Sequence, residues 1–433
     1  MSAERSDAPP PTIPAGPTVP APAPAPATGL GGYRALPRTA GWSYLAATAF
    51  GRLPLSMVPL AILTLATLAS GSIAVGGAAA AAAALGETVG APLAGALADR
   101  YGQRPVLLAG VVLHLASLLG FCVAAGSAPD IVTVLLAGVA GFTLPQVGPL
   151  SRARWLVIAP EHRQVAFAFE GVVDEAVYIA GPALVGIVAV ASGPVTAVVI
   201  SVALVAVFVT WFAVHPSQRR MPRRARNAKR DTEVALPPLG RRARLLIAVA
   251  FTGTLAMGVF FGASQTGLTA FAEEVGIPGA GPLLYAVMAV GSAATTIAMV
   301  LVPARIGPWI RWLVSGVGMA GGALLMLTAH DTVTMIAASV VAGAFQGPLM
   351  LTVFGVSGSV AREGRGGVVM TLTASGVVLG LAVGSVIAAL LAESFGSAGA
   401  FVVVLAVAVL QAVLGAVMQF ATKRRRVDAG ATA

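Results

Sequence analysis

The sequence predicts an all-α membrane protein whose twelve transmembrane helices form two parallel-related six-helix halves. First, the 433-residue chain is 57% hydrophobic and only 10% charged, whereas a soluble globule carries about 25% charged residues. Second, its apolar runs are each close to the ~20 residues that a helix needs to cross ~30 Å of hydrocarbon. Third, basic residues are concentrated in every other connection between these runs.

Residues 1–40 precede the first apolar run and are rich in proline and alanine. Such a segment has too few apolar residues to fold and too many prolines for a helix, so we expect a disordered cytoplasmic tail with polyproline II character. It lacks the apolar stretch of a cleaved signal peptide. The first span is therefore expected to direct membrane insertion.

The apolar runs divide into an N-terminal half over 41–215 and a C-terminal half over 244–421, separated by a basic cytoplasmic linker at 216–243. A basic cytoplasmic tail follows at 422–433. The 51 glycines and abundant alanine favour helices that pack through small residues. The predicted spans are 41–67, 72–98, 105–126, 131–152, 164–190, 195–215, 244–268, 281–303, 310–328, 333–358, 367–391 and 398–421.

The charges in the connections predict the orientation. One set of alternate connections has no lysine or arginine and carries acids such as Asp130 and Asp331. The other set, with the linker and both terminal tails, is assigned all but Arg52 of the 27 basic residues, including Arg152 and Arg154. Because positive residues remain inside, both termini are expected in the cytoplasm of a cell whose cytoplasmic membrane holds the protein.

The two halves carry related sequences at equivalent places. Arg100-Tyr101-Gly102 lies between spans two and three, and Arg305-Ile306-Gly307 lies between spans eight and nine. Gly181-Pro182 in span five corresponds in position to Gly384-Ser385 in span eleven. Two parallel repeats of six helices are typical of transporters that work by alternating access.

Residues 95–104 read Gly-Ala-Leu-Ala-Asp-Arg-Tyr-Gly-Gln-Arg. This segment resembles the signature loop of the major facilitator superfamily, G-x-x-x-D-[RK]-x-G-[RK]-[RK], except that Gln103 replaces a basic residue. The resemblance implies a cytoplasmic latch between the halves, closed in one conformation and released in the other. The positions that carry it are Gly95, Asp99, Arg100, Gly102 and Arg104.

The residue types of this latch loop suit that role. Gly95 lets two helices approach closely, and Gly102 permits a tight turn. The Asp99 carboxylate can accept hydrogen bonds from an arginine or from N–H groups at a helix N-terminus. Ala304 stands where the second half would need the same acid, so only one side of the latch is expected to be charged.

Span five resembles in part the antiporter motif of the same superfamily, G-x-x-x-G-P-x-x-G-G. Gly181, Pro182 and Gly186 match, but two glycines of the pattern are missing. A Gly-Pro pair loosens a helix and indicates a hinge, although such kinks are common in membrane spans generally. The arginine expected in span four of proton-coupled drug exporters is not recognised, and the span offers Thr143 and Gln146 instead.

Ionisable side chains inside the spans are the strongest indication of function, because an unpaired charge in hydrocarbon costs ~2.5 kcal/mol or more. At ~1.5 Å rise per residue, those on spans one, two and five lie at a similar depth of roughly 15–18 Å. We expect Arg52 to pair with Asp174 or Glu175, with Glu170 or Glu87 as an auxiliary titrating group. The five residues are Arg52, Glu87, Glu170, Asp174 and Glu175.

Two other interpretations of these charges remain open. The arginine and the acids could form a permanent buried ion pair that fixes helix packing, or Arg52 could bind an anionic substrate. A carboxyl group without a complete set of partners is favoured in its neutral, protonated form by burial, which suits a proton carrier.

The substrate cavity is expected to include polar residues of spans four, seven and ten, since the resemblance implies that these spans line it. They are Thr143, Gln146, Gln265 and Gln346. The amides could equally serve as hydrogen bonds between helices. No catalytic residues, metal ligands or nucleotide-binding loop are recognised, so we expect neither an enzyme nor a cofactor.

The combined interpretation is a secondary active transporter, with proton-coupled efflux of a small amphiphilic organic molecule as the leading hypothesis. An importer or facilitator of a sugar or organic anion is the first alternative, and a non-transporting membrane sensor or scaffold is the second. The expected partners are a small-molecule substrate, protons and membrane lipids, and the protein is expected to be monomeric. The net charge of +10 follows membrane sidedness and does not indicate a nucleic-acid partner.

Overall fold

The computed structural model describes residues 29–221, 240–277, 280–303, 305–361 and 365–431. Within these ranges the chain is helical and contains no strand. Most of the predicted N-terminal tail, residues 222–239 of the predicted linker and Ala304 lie outside the described residues. The same holds for the side chains of the basic C-terminal tail from residue 423 onward.

The helices of the first half, residues 41–215, follow the predicted spans closely. Here α2 with α3, and α6 with α7, each form one interrupted span, and α9 continues through a π-helical turn into α10. Before them, α1 Ala35–Ala40 lies within the tail that was predicted to be disordered, and its Leu36 is buried, which corrects this part of the prediction. The helices of the half are α2 Trp42–Phe50, α3 Leu53–Ser70, α4 Ile73–Tyr101, α5 Gln103–Ala124, α6 Asp130–Thr143, α7 Val147–Ile158, α8 Arg163–Ser192, α9 Pro194–Leu204 and α10 Thr210–Val214.

The second half, residues 244–421, contains five α-helices in the part of the chain that the structure describes. They are α11 Arg241–Glu274, α12 Gly281–Ala298, α13 Pro308–Leu327, α14 Thr332–Val360 and α15 Gly366–Ala431. The all-α membrane fold that the sequence predicted is therefore confirmed.

The described residues contain 11 segments long and apolar enough to cross a membrane, against twelve predicted. The last of them, Gly366–Thr422, has 57 residues, and at ~1.5 Å per residue a straight helix of that length would far exceed ~30 Å of hydrocarbon. Its backbone is non-helical at Gly396, with φ 65° and ψ −161°. α15 therefore consists of two helices joined by a kink at Gly396, and predicted spans eleven and twelve lie on either side of this glycine.

Two helix interruptions in the first half place polar side chains inside the membrane. The first is at Gly51 and Arg52, between α2 and α3. The second separates α6 from α7 because Pro145 has no N–H and holds Leu144 in an extended conformation, with ψ 120°. Gln146 then precedes α7. Both interruptions lie at the level where the sequence predicted charged groups.

Close approaches at glycine join the two halves. A Cβ on Gly95 of α4 would meet the Gly367 carbonyl oxygen of α15 at 2.7 Å and would also collide with the Thr371 hydroxyl. Elsewhere in the interface, a Cβ on Gly171 of α8 would lie 3.3 Å from the Thr296 methyl of α12. Small residues therefore set how closely the halves can pack, as expected for helices in lipid.

The end of the fourth span corrects the sequence analysis. The helix continues to Ile158, so Arg152 and Arg154 are helical residues packed against other helices and do not lie in an exposed connection. They are 3% and 0% exposed. Arg152 pairs with Asp174, and Arg154 bonds to Gln103, Ser217 and the Phe212 carbonyl oxygen, so both guanidiniums have partners within the helix bundle.

Candidate functional site

Arg52 occupies the interruption between α2 and α3 and is only 2% exposed. Its guanidinium forms an ion pair with the Glu170 carboxylate of α8. Its Nη1 also lies 3.0 Å from Asp174 Oδ1 and donates to the Glu170 carbonyl oxygen at 3.2 Å. The break in the helix lets this arginine reach two carboxylates one turn apart on α8.

Glu170 is held by neutral donors as well as by Arg52. Its Oε1 accepts hydrogen bonds from Ser151 Oγ and from Trp155 Nε1, both at 2.7 Å. The Ser151 hydroxyl lies 2.8 Å from the Tyr44 hydroxyl. Glu170 is 0% exposed. Glu170 is thus held by one arginine and by two neutral donors within a buried network.

Asp174 lies between two arginines. Its Oδ1 accepts from Arg52, and its Oδ2 forms an ion pair with Arg152 of α7. The Asp174 side chain is 18% exposed, against 3% or less for the side chains of Arg52, Glu170 and Arg152. It borders a small cavity between the halves, the central cavity, which Tyr178 also lines. Asp174 is thus the more exposed of the two carboxylates in this cluster.

Arg152 was missed as a site residue because it was assigned to a cytoplasmic loop. Its guanidinium carbon lies 4.1 Å from the ring centre of Phe354 on α14, in a cation–π contact with the second half. The fourth span therefore does contain a buried arginine, contrary to expectation. The signal that could have revealed it is the apolar run at 155–158, which continues the span beyond both arginines.

Glu175 does not pair with Arg52, which corrects one of the two expected pairings. Its Oε1 accepts from Ser292 Oγ of α12 at 2.7 Å and from Gln346 Nε2 of α14 at 3.0 Å. Consecutive residues on a helix point about 100° apart, so Asp174 and Glu175 face different neighbours. Glu175 consequently bonds to the second half while Asp174 bonds within the first.

Arg52, Arg152, Glu170 and Asp174 together form the ion cluster. Glu87 of α4 lies apart from it. It is 4% exposed, and its Oε1 lies 3.5 Å from Gln146 Nε2, which also donates to the Leu144 carbonyl oxygen at 3.1 Å. Among the described residues no basic group lies within ion-pair distance of Glu87 or Glu175. Two arginines and two carboxylates balance each other in the cluster, and two further acids are held by neutral groups.

The predicted cavity residues have different surroundings. Gln346 bonds to Glu175, and Gln146 bonds to Glu87, as described above. Gln265 forms a side-chain hydrogen bond with Tyr285. Thr143 donates to the Val139 carbonyl oxygen at 2.8 Å, a contact within its own helix. No cluster of metal-ligating side chains occurs in the described part of the chain.

The predicted latch loop joins the halves through Asp99. Its Oδ1 accepts from the Gly367 N–H at 2.8 Å, and its Oδ2 from the Val368 N–H at 2.9 Å. These are unpaired donors of the first turn of α15, where a carboxylate is stabilised by the helix dipole. Gly102 ends α4 with φ 94°.

The basic residues of the latch loop do not take part in this contact. The Arg100 guanidinium lies over the Tyr101 ring at 5.2 Å, and Arg104 is exposed. Gln103, where a basic residue is usual, accepts from Arg154 Nε and Nη2 at 2.9 and 2.8 Å.

The predicted hinge lies inside α8, which is continuous through Pro182. A Cβ on Gly181 would collide with the Ser56 hydroxyl of α3, and this hydroxyl donates to the Val177 carbonyl oxygen at 2.8 Å. Gly186 has open space around it. Gly181 therefore serves close packing of α3 against α8, and bending at this point stays a prediction.

Solved structures of transporters share this fold. The human organic anion transporter MFSD10 (TETRAN) is 18% identical, with a TM-score of 0.68 over 87% of this chain and 99% of that chain. A bacterial homologue of the iron transporter ferroportin, in an outward-facing state, is 16% identical, with a TM-score of 0.68 over 86% and 97%. A form of the E. coli fucose:proton symporter FucP is 14% identical, with a TM-score of 0.62 over 86% and 97%.

No curated protein matches this chain in sequence. Residues 44–333, more than half of the chain, match the profile of the Major Facilitator Superfamily. The latch loop, the twelve predicted spans and the helical fold agree with that match. The chain belongs to the Major Facilitator Superfamily of membrane transporters.

Proposed function

We propose that this transporter exports a small amphiphilic organic molecule in exchange for protons, with Asp174 as the proton-carrying carboxylate. The observation that carries the proposal is the position of Asp174 between Arg52 and Arg152, partly exposed to a cavity between the halves. A proton on Asp174 would replace a charged partner of both arginines by a neutral one. The local charge would then change from balanced to positive.

This change of charge supplies a physical reason for movement. An uncompensated guanidinium in a membrane interior is costly, so the arginines must find other partners or water when Asp174 is protonated. Arg152 is also packed on Phe354 of the second half. Protonation of Asp174 would thereby weaken a contact between the halves, and loss of the proton would restore it.

Glu170 and Glu87 take different parts in this scheme. Glu170, closed off by Ser151 and Trp155, would remain ionised and retain Arg52 near α8 throughout the cycle. Glu87 has only the Gln146 amide as a partner and would be the auxiliary titrating group.

The contacts between the halves define what must break during transport. Three of them involve acids or arginines of the first half: Asp99 with the start of α15, Arg152 with Phe354, and Glu175 with Ser292 and Gln346. If the transport path opens toward the predicted cytoplasmic side, the contact between Asp99 and the start of α15 must break. The remaining two lie next to the central cavity and would respond to its occupant.

A second candidate is an importer or facilitator of a sugar or an organic anion. It draws on the names of solved relatives, which include an organic anion transporter and a fucose:proton symporter. Against it, both carboxylate partners of Arg52 are in place, which leaves this guanidinium little capacity to bind an anion. A scaffold without turnover would have no need of several ionisable groups inside the membrane.

Reconstituted vesicles of known orientation test the proposal with a panel of fluorescent amphiphilic dyes as probes. Dye movement should follow an imposed proton gradient in the efflux direction and lose that response in Asp174→Asn. The control is Asp130→Asn, an exposed acid at the start of α6 that should behave like the unmodified protein. Transport that ignores the gradient, or that survives Asp174→Asn combined with Glu175→Gln, would overturn the coupling mechanism.

A further inference from the structure

A second cavity, of about 450 Å³, lies at the predicted cytoplasmic ends of the helices, away from the ion cluster. Its walls come from α8 of the first half and from α11, α13, α14 and the end of α15 in the second half. Its volume is within the range of sites that bind small organic molecules. We call it the cytoplasmic cavity.

The lining combines an apolar wall with arginine side chains. Phe167, Leu246 and Met418 contribute to the wall, and Arg163, Arg242 and Arg311 lie at its border. A neighbouring depression adds Arg241 and Arg244 and shares Arg242. No carboxylate is found among the residues that line either space.

The arginines differ in how they are bound. Arg311 is fixed, since its Nε donates to the Ile306 carbonyl oxygen at 2.9 Å and its Nη2 to that of Pro303 at 3.0 Å. Arg163 and Arg242 are exposed, and within the described ranges neither has a hydrogen-bond acceptor or an acidic partner. Two guanidiniums with free donors beside an apolar wall match a ligand with an anionic head and an apolar body.

We propose that the cytoplasmic cavity binds an anionic phospholipid, with its phosphate on Arg163 and Arg242 and part of an acyl chain along the apolar wall. Position favours a lipid over a soluble anion, because the cavity lies at the membrane face where anionic headgroups attract basic residues. Leu245 continues the apolar wall outward, and its side chain is 49% exposed.

Such a lipid would stabilise the conformation in which the halves meet on this side. Arg163 belongs to the first half, whereas Arg242 belongs to the second. Close to the cavity, Gln164 Nε2 donates to the Met299 carbonyl oxygen at 2.8 Å and already joins the same two halves. A phosphate shared between Arg163 and Arg242 would add a bridge across this boundary, so the lipid would regulate transport without entering the central cavity.

The test uses the purified full chain in detergent micelles, titrated with phosphatidylglycerol or with zwitterionic phosphatidylcholine. Phosphatidylglycerol should raise the melting temperature by several degrees, and phosphatidylcholine should not. Arg163→Gln combined with Arg242→Gln should weaken the apparent affinity for phosphatidylglycerol about tenfold or more. Arg34→Gln combined with Arg38→Gln removes the same charge from exposed positions elsewhere and should change it little.

A third variant separates the apolar part of the site from its charge. Gly355 lines the cavity, and a Cβ on it would meet nothing within 4 Å. Gly355→Leu should fill the cavity while improving helix propensity, so the melting temperature without lipid should be maintained and the response to phosphatidylglycerol lost. Equal stabilisation by both lipids, equal affinity of the two double variants, or full stabilisation by inorganic phosphate alone would each overturn the proposal.

Discussion

Glu175 of α8 accepts a hydrogen bond from the Gln346 side chain of α14, with 3.0 Å between Oε1 and Nε2, and this bond crosses between the halves inside the membrane. The Ser292 hydroxyl of α12 donates to the same oxygen. One carboxylate thus connects three helices. Its neighbour Asp174 forms ion pairs with two arginines of its own half. Asp174 therefore balances charge within the first half, whereas Glu175 connects the first half to the second.

Replacement of Glu175 by alanine should destabilise the protein. The Ser292 and Gln346 donors would lose their acceptor, at a cost of about 1–3 kcal/mol for buried polar groups left unpaired. Glu175→Gln retains a carbonyl oxygen and should cost less. Thermal unfolding in detergent measures both, with the exposed Glu393→Ala as control. An equal melting temperature for Glu175→Ala and Glu393→Ala would refute the bridging contact.

Gly95→Ala should weaken the closed latch. A Cβ at this position would collide with the Thr371 hydroxyl and meet the Gly367 carbonyl oxygen at 2.7 Å, so α4 and α15 would have to separate. We expect a lower melting temperature. The matched control is Gly77→Ala on the same helix, where a Cβ meets nothing within 4 Å and alanine should stabilise by up to about 1 kcal/mol. We therefore expect Gly95→Ala to lower the melting temperature and Gly77→Ala to raise it. Changes in the same direction would contradict the contact between α4 and α15.

Gln103→Arg would introduce the basic residue that is usual in the superfamily and should nevertheless destabilise this protein. Gln103 Oε1 accepts two hydrogen bonds from Arg154, which is 0% exposed and has no carboxylate partner among the described residues. A second guanidinium there would repel the first and remove its acceptor, at a cost of about 3 kcal/mol or more.

The exposed neighbour provides the control for this prediction. Arg104→Gln changes the adjacent position of the same loop without touching a buried group and should leave the melting temperature nearly unchanged. If Gln103→Arg unfolds at the same temperature as the control, the buried arrangement of Arg154 is wrong.

His215 should make the protein less stable in mild acid. It lies just beyond the sixth span, where burial and then the nearby Arg154 guanidinium lower its pKa from the ordinary 6.5. Its Nδ1 accepts from the Ser217 N–H at 3.3 Å, and its Nε2 lies 3.2 Å from Ser43 Oγ, so the neutral ring is the one held in place.

The direction of this pH effect on stability follows from proton binding. The unfolded chain takes up a proton as pH falls below about 6.5 and the folded chain does not, so the stability due to neutral His215 is lost below that pH. His215→Gln should show a shallower fall of melting temperature between about pH 6.5 and 5 than the unmodified protein. His330→Gln, at an exposed position, should retain the original slope. Parallel slopes for all three proteins would exclude this role of His215.

The ion pair between Arg52 and Asp174 could be predicted from the sequence, because the depth of a residue along a helix follows from the rise per residue. The same reasoning could not assign partners by direction, since the rotation of α8 about its axis depends on packing. Glu175 was therefore a candidate partner for Arg52, although it faces the second half. Glu170 was given an auxiliary role, although it forms an ion pair with Arg52.

Arg152 and Arg154 show what counting positive charges cannot predict. The rule that basic residues mark cytoplasmic connections holds when arginines meet water or lipid headgroups. These two instead meet Asp174, Gln103 and the Phe212 carbonyl oxygen, groups that come from other helices and are distant in sequence. Local composition cannot reveal such compensation; the apolar residues that follow were the available signal.

The burial of Arg52 midway along the first span has a consequence for biosynthesis. A charged residue at the centre of a helix costs ~2.5–3.5 kcal/mol during insertion, so the helix carrying Arg52 is held weakly in the membrane by itself. Its carboxylate partners, Glu170 and Asp174, are on α8, which the ribosome delivers later. Stable integration of the first span should consequently wait for the fifth, and a nascent chain truncated before Glu170 should be integrated less stably than one extended past Asp174.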